Sequence, residues 1–114
     1  MGRYLQVRVS VSTVDEDAVT RAWPTLAKLA WADGPPPEGR KGVLELTSAL
    51  ADRLELGMLP AGTAKAVEKT ARRAEALRLE LEEALAGRKP AEADQKTYAL
   101  EDSLGEAEDL VRKL

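Results

Sequence analysis

Cysteine, histidine and phenylalanine are all missing from the chain's 114 residues. Without cysteine there is neither a disulfide nor a thiolate metal ligand, which fits a reducing compartment. Without histidine the side chain most used as general base and metal ligand is gone. Only two Trp and two Tyr remain as aromatics, so Leu, Val and Ala must fill the interior. No run approaches the ~18 apolar residues of a membrane span. Met1-Gly2-Arg3-Tyr4 leads straight into an alternating segment and leaves no room for an apolar export signal. These absences predict a cytoplasmic protein, off the membrane and without a cofactor. The net charge of −3 argues against non-specific coating of nucleic acid.

What is present suits a folded domain. Hydrophobic residues make up 44% and charged residues 32%, enough for one core spanning residues 1–114. From residue 4 to 12 the chain alternates: Leu5, Val7, Val9 and Val11 on one face, Gln6, Arg8, Ser10 and Ser12 on the other. That period of two predicts a half-buried strand. A lone strand cannot satisfy its own backbone N–H and C=O groups, and no equally good second strand follows. The expected partner is the same strand of a second copy, with Leu5, Val7, Val9 and Val11 as the homodimer interface.

Everything after the strand reads as helix, giving a mainly α fold with about four helices. Thr13-Val14-Asp15-Glu16 fits a capping box, opening a helix with Val19, Ala22, Trp23, Leu26, Ala27 and Ala30 on one face. Pro24 inside that pattern predicts a kink or restart. In a chain without Phe, Trp23 and Trp31 are read first as bulky core residues. Residues 34–42 (GPPPEGRKG) form a loop whose end, Gly39-Arg40-Lys41-Gly42, precedes the next helix. A basic pair at a helix N-terminus suits phosphate, but the full phosphate-loop pattern is missing, and solvated loop charges are the simpler reading. The second helix carries Val43, Leu46, Leu50 and Leu54 inward and closes at Gly57, completing residues 13–57.

Residues 60–114 carry the most specific signal. Val67, Ala74 and Leu81 interleave with Thr70, Leu77 and Ala84; Ala93, Leu100, Ala107 and Leu114 interleave with Thr97, Leu104 and Val111. Both are coiled-coil patterns, and the short Gly87-Arg88-Lys89 connection forces an antiparallel hairpin. If Ala86 faces Ala91, then Thr70 meets Ala107, Leu77 meets Leu100 and Ala84 meets Ala93. The basic Lys65, Lys69, Arg72 and Arg73 would then lie beside Glu101, Asp102, Glu106, Glu108 and Asp109. The same basic stripe lies opposite the apolar face, where a solvated surface is the simpler reading than a phosphate contact.

Two constellations carry chemistry. Glu80-Leu81-Glu82-Glu83 and Glu106-Ala107-Glu108-Asp109 give two Glu-x-x-acid pairs, similar to the magnesium-binding pattern of the small all-α nucleoside triphosphate pyrophosphohydrolases. That resemblance implies Mg²⁺ held by Glu80, Glu83, Glu106 and Asp109. On a helical wheel, however, both pairs point away from the hairpin seam. The N-terminal strand followed by two helices resembles the ribbon-helix-helix DNA-binding proteins. That resemblance implies a two-chain ribbon reading bases through Gln6, Arg8 and Ser10. Neither pattern outweighs the reading by elimination, a small non-enzymatic homodimeric adaptor that binds an unidentified protein partner. The hairpin register is directly testable in this cysteine-free chain. Ala84→Cys with Ala93→Cys should oxidise to an intrachain disulfide, while Glu83→Cys with Asp94→Cys should crosslink poorly on a non-reducing gel.

Overall fold

A strand that must find a hydrogen-bonding partner can find it nearby by folding back on itself. The computed structural model describes residues 3–7, 11–34, 36 and 39–114, and for Gln6, Val7, Val11 and Ser12 it describes the backbone only. Instead of one strand over 4–12 there are two, β1 (Leu5–Val7) and β2 (Val11–Thr13). They pair antiparallel, Leu5 with Thr13, Gln6 with Ser12 and Val7 with Val11, and the Val14 N–H donates to the Tyr4 carbonyl at 3.0 Å. The expected single strand is thereby corrected to two strands that pair with each other within one chain. A period of two is the same in one long strand and in two short ones, so the alternation could not mark the fold-back. Leu5 is fully buried in the chain's own core, so it is not available as a dimer contact. Val9, also expected at that interface, lies outside the described residues.

Five helices follow among the described residues: α1 (Glu16–Ala22), α2 (Pro24–Ala30), α3 (Val43–Glu55), α4 (Ala61–Ala86) and α5 (Pro90–Arg112). The restart at Pro24 is as expected, with Trp23 as the hinge and Pro24 as the first residue of α2. The capping box is not. Asp15 caps α1, accepting from the N–H groups of Asp17 at 3.0 Å and Ala18 at 3.3 Å. Thr13 and Glu16 bond elsewhere: Thr13 Oγ1 accepts from Val43 N–H at 2.9 Å and Glu16 Oε1 from Lys41 N–H at 2.6 Å. A local box lost to long-range caps at the start of α3.

The α4–α5 hairpin forms as the heptads require except at Leu114, which lies past the end of α5 and is exposed. Val67, Thr70, Ala74, Leu77, Leu81 and Ala84 of α4 are buried, as are Ala93, Thr97, Leu100, Leu104, Ala107 and Val111 of α5. An ion pair between Lys96 and Glu80, 3.4 Å, sits within one residue of the expected register. At about 1.5 Å per residue, α4 alone accounts for the 39 Å long axis of the molecule. The turn follows the Schellman pattern, with Lys89 N–H on the Ala84 carbonyl at 2.8 Å and Arg88 N–H on Leu85 at 3.0 Å. The left-handed residue is Arg88, at φ 56°, one position after Gly87. The end of α3 uses the same device with glycine in that place, Gly57 at φ 67°.

Packing closes a ring in which α2 neighbours α3, α3 neighbours α4, α4 neighbours α5, and α5 neighbours α2, with β1 against α5 and β2 against α3. Trp23 is buried and meets Tyr4 edge-on, ring centres 5.0 Å apart. Two acidic residues tie the N-terminal third to α5. Glu101 accepts from three successive N–H groups, Arg3 at 2.7 Å, Tyr4 at 3.0 Å and Leu5 at 2.9 Å. Glu108 Oε1 accepts from Thr25 and Leu26, both at 3.0 Å, while Arg112 holds Oε2 at 3.2 Å. Pro24 has no N–H to satisfy, and Ala27 N–H reaches the Trp23 carbonyl. The first turn of α2 is therefore fully bonded. Both carboxylates were expected beside the basic end of the third predicted helix; both are buried caps instead.

Glu108→Ala should cost about 1–3 kcal/mol for the buried Leu26 N–H it strands, measured by urea unfolding. Glu101 also makes stability depend on pH. Burial pushes its pKa above the ordinary carboxylate value, aided by Asp102, against the pull of the three N–H groups. The folded state therefore holds this proton to higher pH than the unfolded chain does. The contribution of Glu101 to stability accordingly rises as pH falls from neutral towards 4.5. Over that range the unfolding midpoint of the wild type should rise relative to Glu101→Gln, and a constant difference would contradict the shift.

Candidate interaction surface

The start of α3 was the one place where sequence suggested a phosphate cradle. Three successive N–H groups there already have protein acceptors: Lys41 with Glu16, Gly42 with Glu45 Oε1 at 3.1 Å, and Val43 with Thr13. Three protein acceptors, two of them carboxylates, compete there with any anion. Gly42 is needed because a Cβ at that position would overlap both Glu45 Oε1 and Thr13 Oγ1. Lys41 instead lies over the Trp31 ring, with Nζ 5.9 Å from the ring centre.

The four candidate magnesium ligands do not come together. Glu80, Glu83, Glu106 and Asp109 are all exposed, and no three carboxylates converge on a metal position among the described residues. Glu80 is engaged with Lys96 at 3.4 Å. Of the candidate base readers, Arg8 and Ser10 lie outside the described residues, and Gln6 belongs to β1 by its backbone. A ribbon-helix-helix protein draws one strand from each of two chains; here a single chain supplies both strands.

The most developed concavity lies between α3, α4 and the segment that follows α2, with a volume of about 770 Å³. Trp31, Leu44 and Ala49 form its apolar lining, and Leu56 and Met58 stand at its mouth, 72% and 49% exposed. Trp31 is only half-buried, unlike Trp23, and its indole N–H has no acceptor among the described residues. Charged residues of α3 and α4, Glu45, Asp52, Arg53, Arg78 and Glu82, complete the lining. Arg78 is clamped by Glu75, at 2.5 Å, and by Glu82, at 2.9 Å, and Glu75 foremost pushes its pKa up further. Arg53 donates to the Ala30 carbonyl at 3.0 Å and pairs with Asp33 at 2.5 Å, which fastens the end of α2 to α3.

With both arginines neutralised, Glu45 and Asp52 leave the groove wall acidic. Sequence reasoning passed over Leu44, Leu56 and Met58, since the helical stripe directs attention to Leu46, Leu50 and Leu54. The available signal was the pair of large apolar residues flanking Gly57, where a solvent-exposed turn would favour polar ones. Comparison with family models, with curated proteins and with solved structures returned no match. No described helix is long and apolar enough to cross a membrane.

Gly42→Ala should destabilise the protein by about 1 kcal/mol, the worth of a helix cap. Gly62→Ala, in the first turn of α4 with open space around it, should be neutral or stabilising. Thermal unfolding of the two variants checks the contrast.

Proposed function

We propose that this chain is a small non-enzymatic interaction protein, working as a homodimer and presenting the groove between α3 and α4 to a segment of another protein. The observation that supports this reading is the exposure of Leu56 and Met58 at the mouth of a groove floored by Trp31, Leu44 and Ala49. Large apolar side chains held in water beside a concavity gain by being covered, at about 25 cal/mol for each Å² removed from solvent. The acidic balance of Glu45 and Asp52 selects for a basic flank on the occupant. A helix with an apolar stripe and Lys or Arg beside it meets both requirements.

Trp31 makes the reading measurable. A basic amphipathic helical peptide should shift the tryptophan emission to shorter wavelength on titration, as the half-buried indole loses its remaining water. An acidic peptide with the same apolar stripe should not. Leu56→Glu should weaken the basic peptide at least roughly tenfold, the loss of one well-buried apolar contact, and leave the helical circular dichroism unchanged. No response to either peptide would remove the groove from consideration as a binding site.

A further inference from the structure

The outer face of α4 carries charge that is only partly compensated among the described residues: Arg72, Glu80 and Glu82 have ion-pair partners. Cations near a helix N-terminus and anions near its C-terminus oppose the helix dipole, and α4 has both. No acidic residue stands in its first turn and no basic residue in its last, while Lys65, Lys69, Arg72 and Arg73 precede Glu80, Glu82 and Glu83. The acidic residues of α5 were expected to offset this, but Glu101 and Glu108 are spent on backbone N–H groups. Arg72 pairs with Glu55 at 3.1 Å and Glu68 at 3.7 Å. Lys65, Lys69, Arg73 and Glu83 form no ion pair among the described residues.

These residues are also ordered along the helix. Lys65, Lys69, Arg72, Ala76, Leu79 and Glu83 follow one another at spacings of four and three, which makes a second coiled-coil stripe. All six are exposed, and Leu79 presents 53% of its surface to water. At 100° per residue the stripe lies on the side of α4 opposite the Ala74/Leu77/Leu81 seam. It reads basic, then small and apolar, then acidic.

Such a sequence of properties is complementary to itself when reversed. We infer that α4 is the homodimer interface, packing antiparallel against α4 of a second copy about a two-fold axis near Ala76. Lys69 then comes level with the partner's Glu83, and Glu83 with the partner's Lys69, as a two-fold axis requires. Arg72 comes level with the partner's Glu80. The small Ala76 lets the helices approach, and the two Leu79 side chains are covered near the centre. The helix dipoles oppose one another, so the basic half of each helix meets the acidic half of the other. This inference rests on the homodimeric part of the proposed function and moves the contact from the N-terminal strand to α4.

Charge reversal in the full chain tests it, read by sedimentation equilibrium with circular dichroism to confirm folding. The wild type should dimerise at low ionic strength and dissociate progressively towards about 1 M salt, where the screening length falls to ~3 Å. Lys69→Glu alone and Glu83→Lys alone should each weaken the dimer at least roughly tenfold, since each sets two like-charged pairs across the axis. The Lys69→Glu/Glu83→Lys double variant should recover it, and so should an equimolar mixture of the two single variants. A merely structural role for either residue would not produce that recovery. A dimer indifferent to both reversals would overturn the α4 interface and leave the homodimer standing. Single variants that weaken without recovery in the double variant or the mixture would overturn the antiparallel register. A wild type that stays monomeric at low salt would overturn both the interface and the homodimer.

Discussion

Two carboxylates seven residues apart on one helix hold the N-terminal third of this protein in place. Glu101 gathers the N–H groups of Arg3, Tyr4 and Leu5, and Glu108 gathers those of Thr25 and Leu26. Neither segment can satisfy these donors by itself. Leu5 pairs with Thr13 without using the N–H it turns towards α5, and α2 begins after a hinge residue with no capping side chain of its own. Burying a polar group without a partner is expensive, so the ribbon and α2 are stable where they lie only because α5 presents acceptors at those two heights. The two-turn interval sets both on one side of α5, next to the Leu100/Leu104/Ala107/Val111 seam. A carboxylate accepting several N–H groups does here what a longer sheet or a serine cap does elsewhere.

The α4–α5 hairpin was legible because its signal repeats. Twelve seam positions, six on each helix, recur at heptad spacing, and the short turn leaves only one way to oppose them. Pro24 was legible because proline acts on its own backbone, whatever surrounds it. The fold-back between β1 and β2 was not, since alternation carries no mark of where a strand reverses and Arg8-Val9-Ser10 contains no glycine or asparagine to announce a turn. Thr13 and Glu16 misled for a related reason. A capping box is a local pattern, and the start of α3, where Glu45 reaches only the Gly42 N–H, took up the same oxygens for Lys41 and Val43. Glu101 and Glu108 looked like two more of 20 acidic residues. Composition cannot distinguish a solvated glutamate from one whose partners lie 82 to 98 positions away.

The surface divides along similar lines. Backbone N–H groups near the ribbon and α2 are taken up by carboxylates of the fold itself, and so are those of Lys41 and Gly42 before α3. Beside the groove, Arg78 pairs along its own helix α4 and Arg53 pairs with Asp33 after α2, while Trp31 and Leu44 remain half-covered. Two surface features remain beyond these, the groove lined by Trp31, Leu44 and Ala49 and the outer face of α4, where Lys65, Lys69, Arg73 and Glu83 form no ion pair among the described residues.

The span of the glutamate contacts also bears on how the chain comes to be folded during synthesis. Arg3 and Glu101 are separated by 98 residues, so the ribbon emerges from the ribosome long before the acceptor that completes it. The helices of the α4–α5 hairpin, by contrast, contact each other across a three-residue turn and can assemble as soon as both are made. The contacts that Glu101 and Glu108 make with the N-terminal third can therefore form only once α5 has been made. Until then the N–H groups of Arg3, Tyr4 and Leu5 lack the acceptor they have in the folded protein.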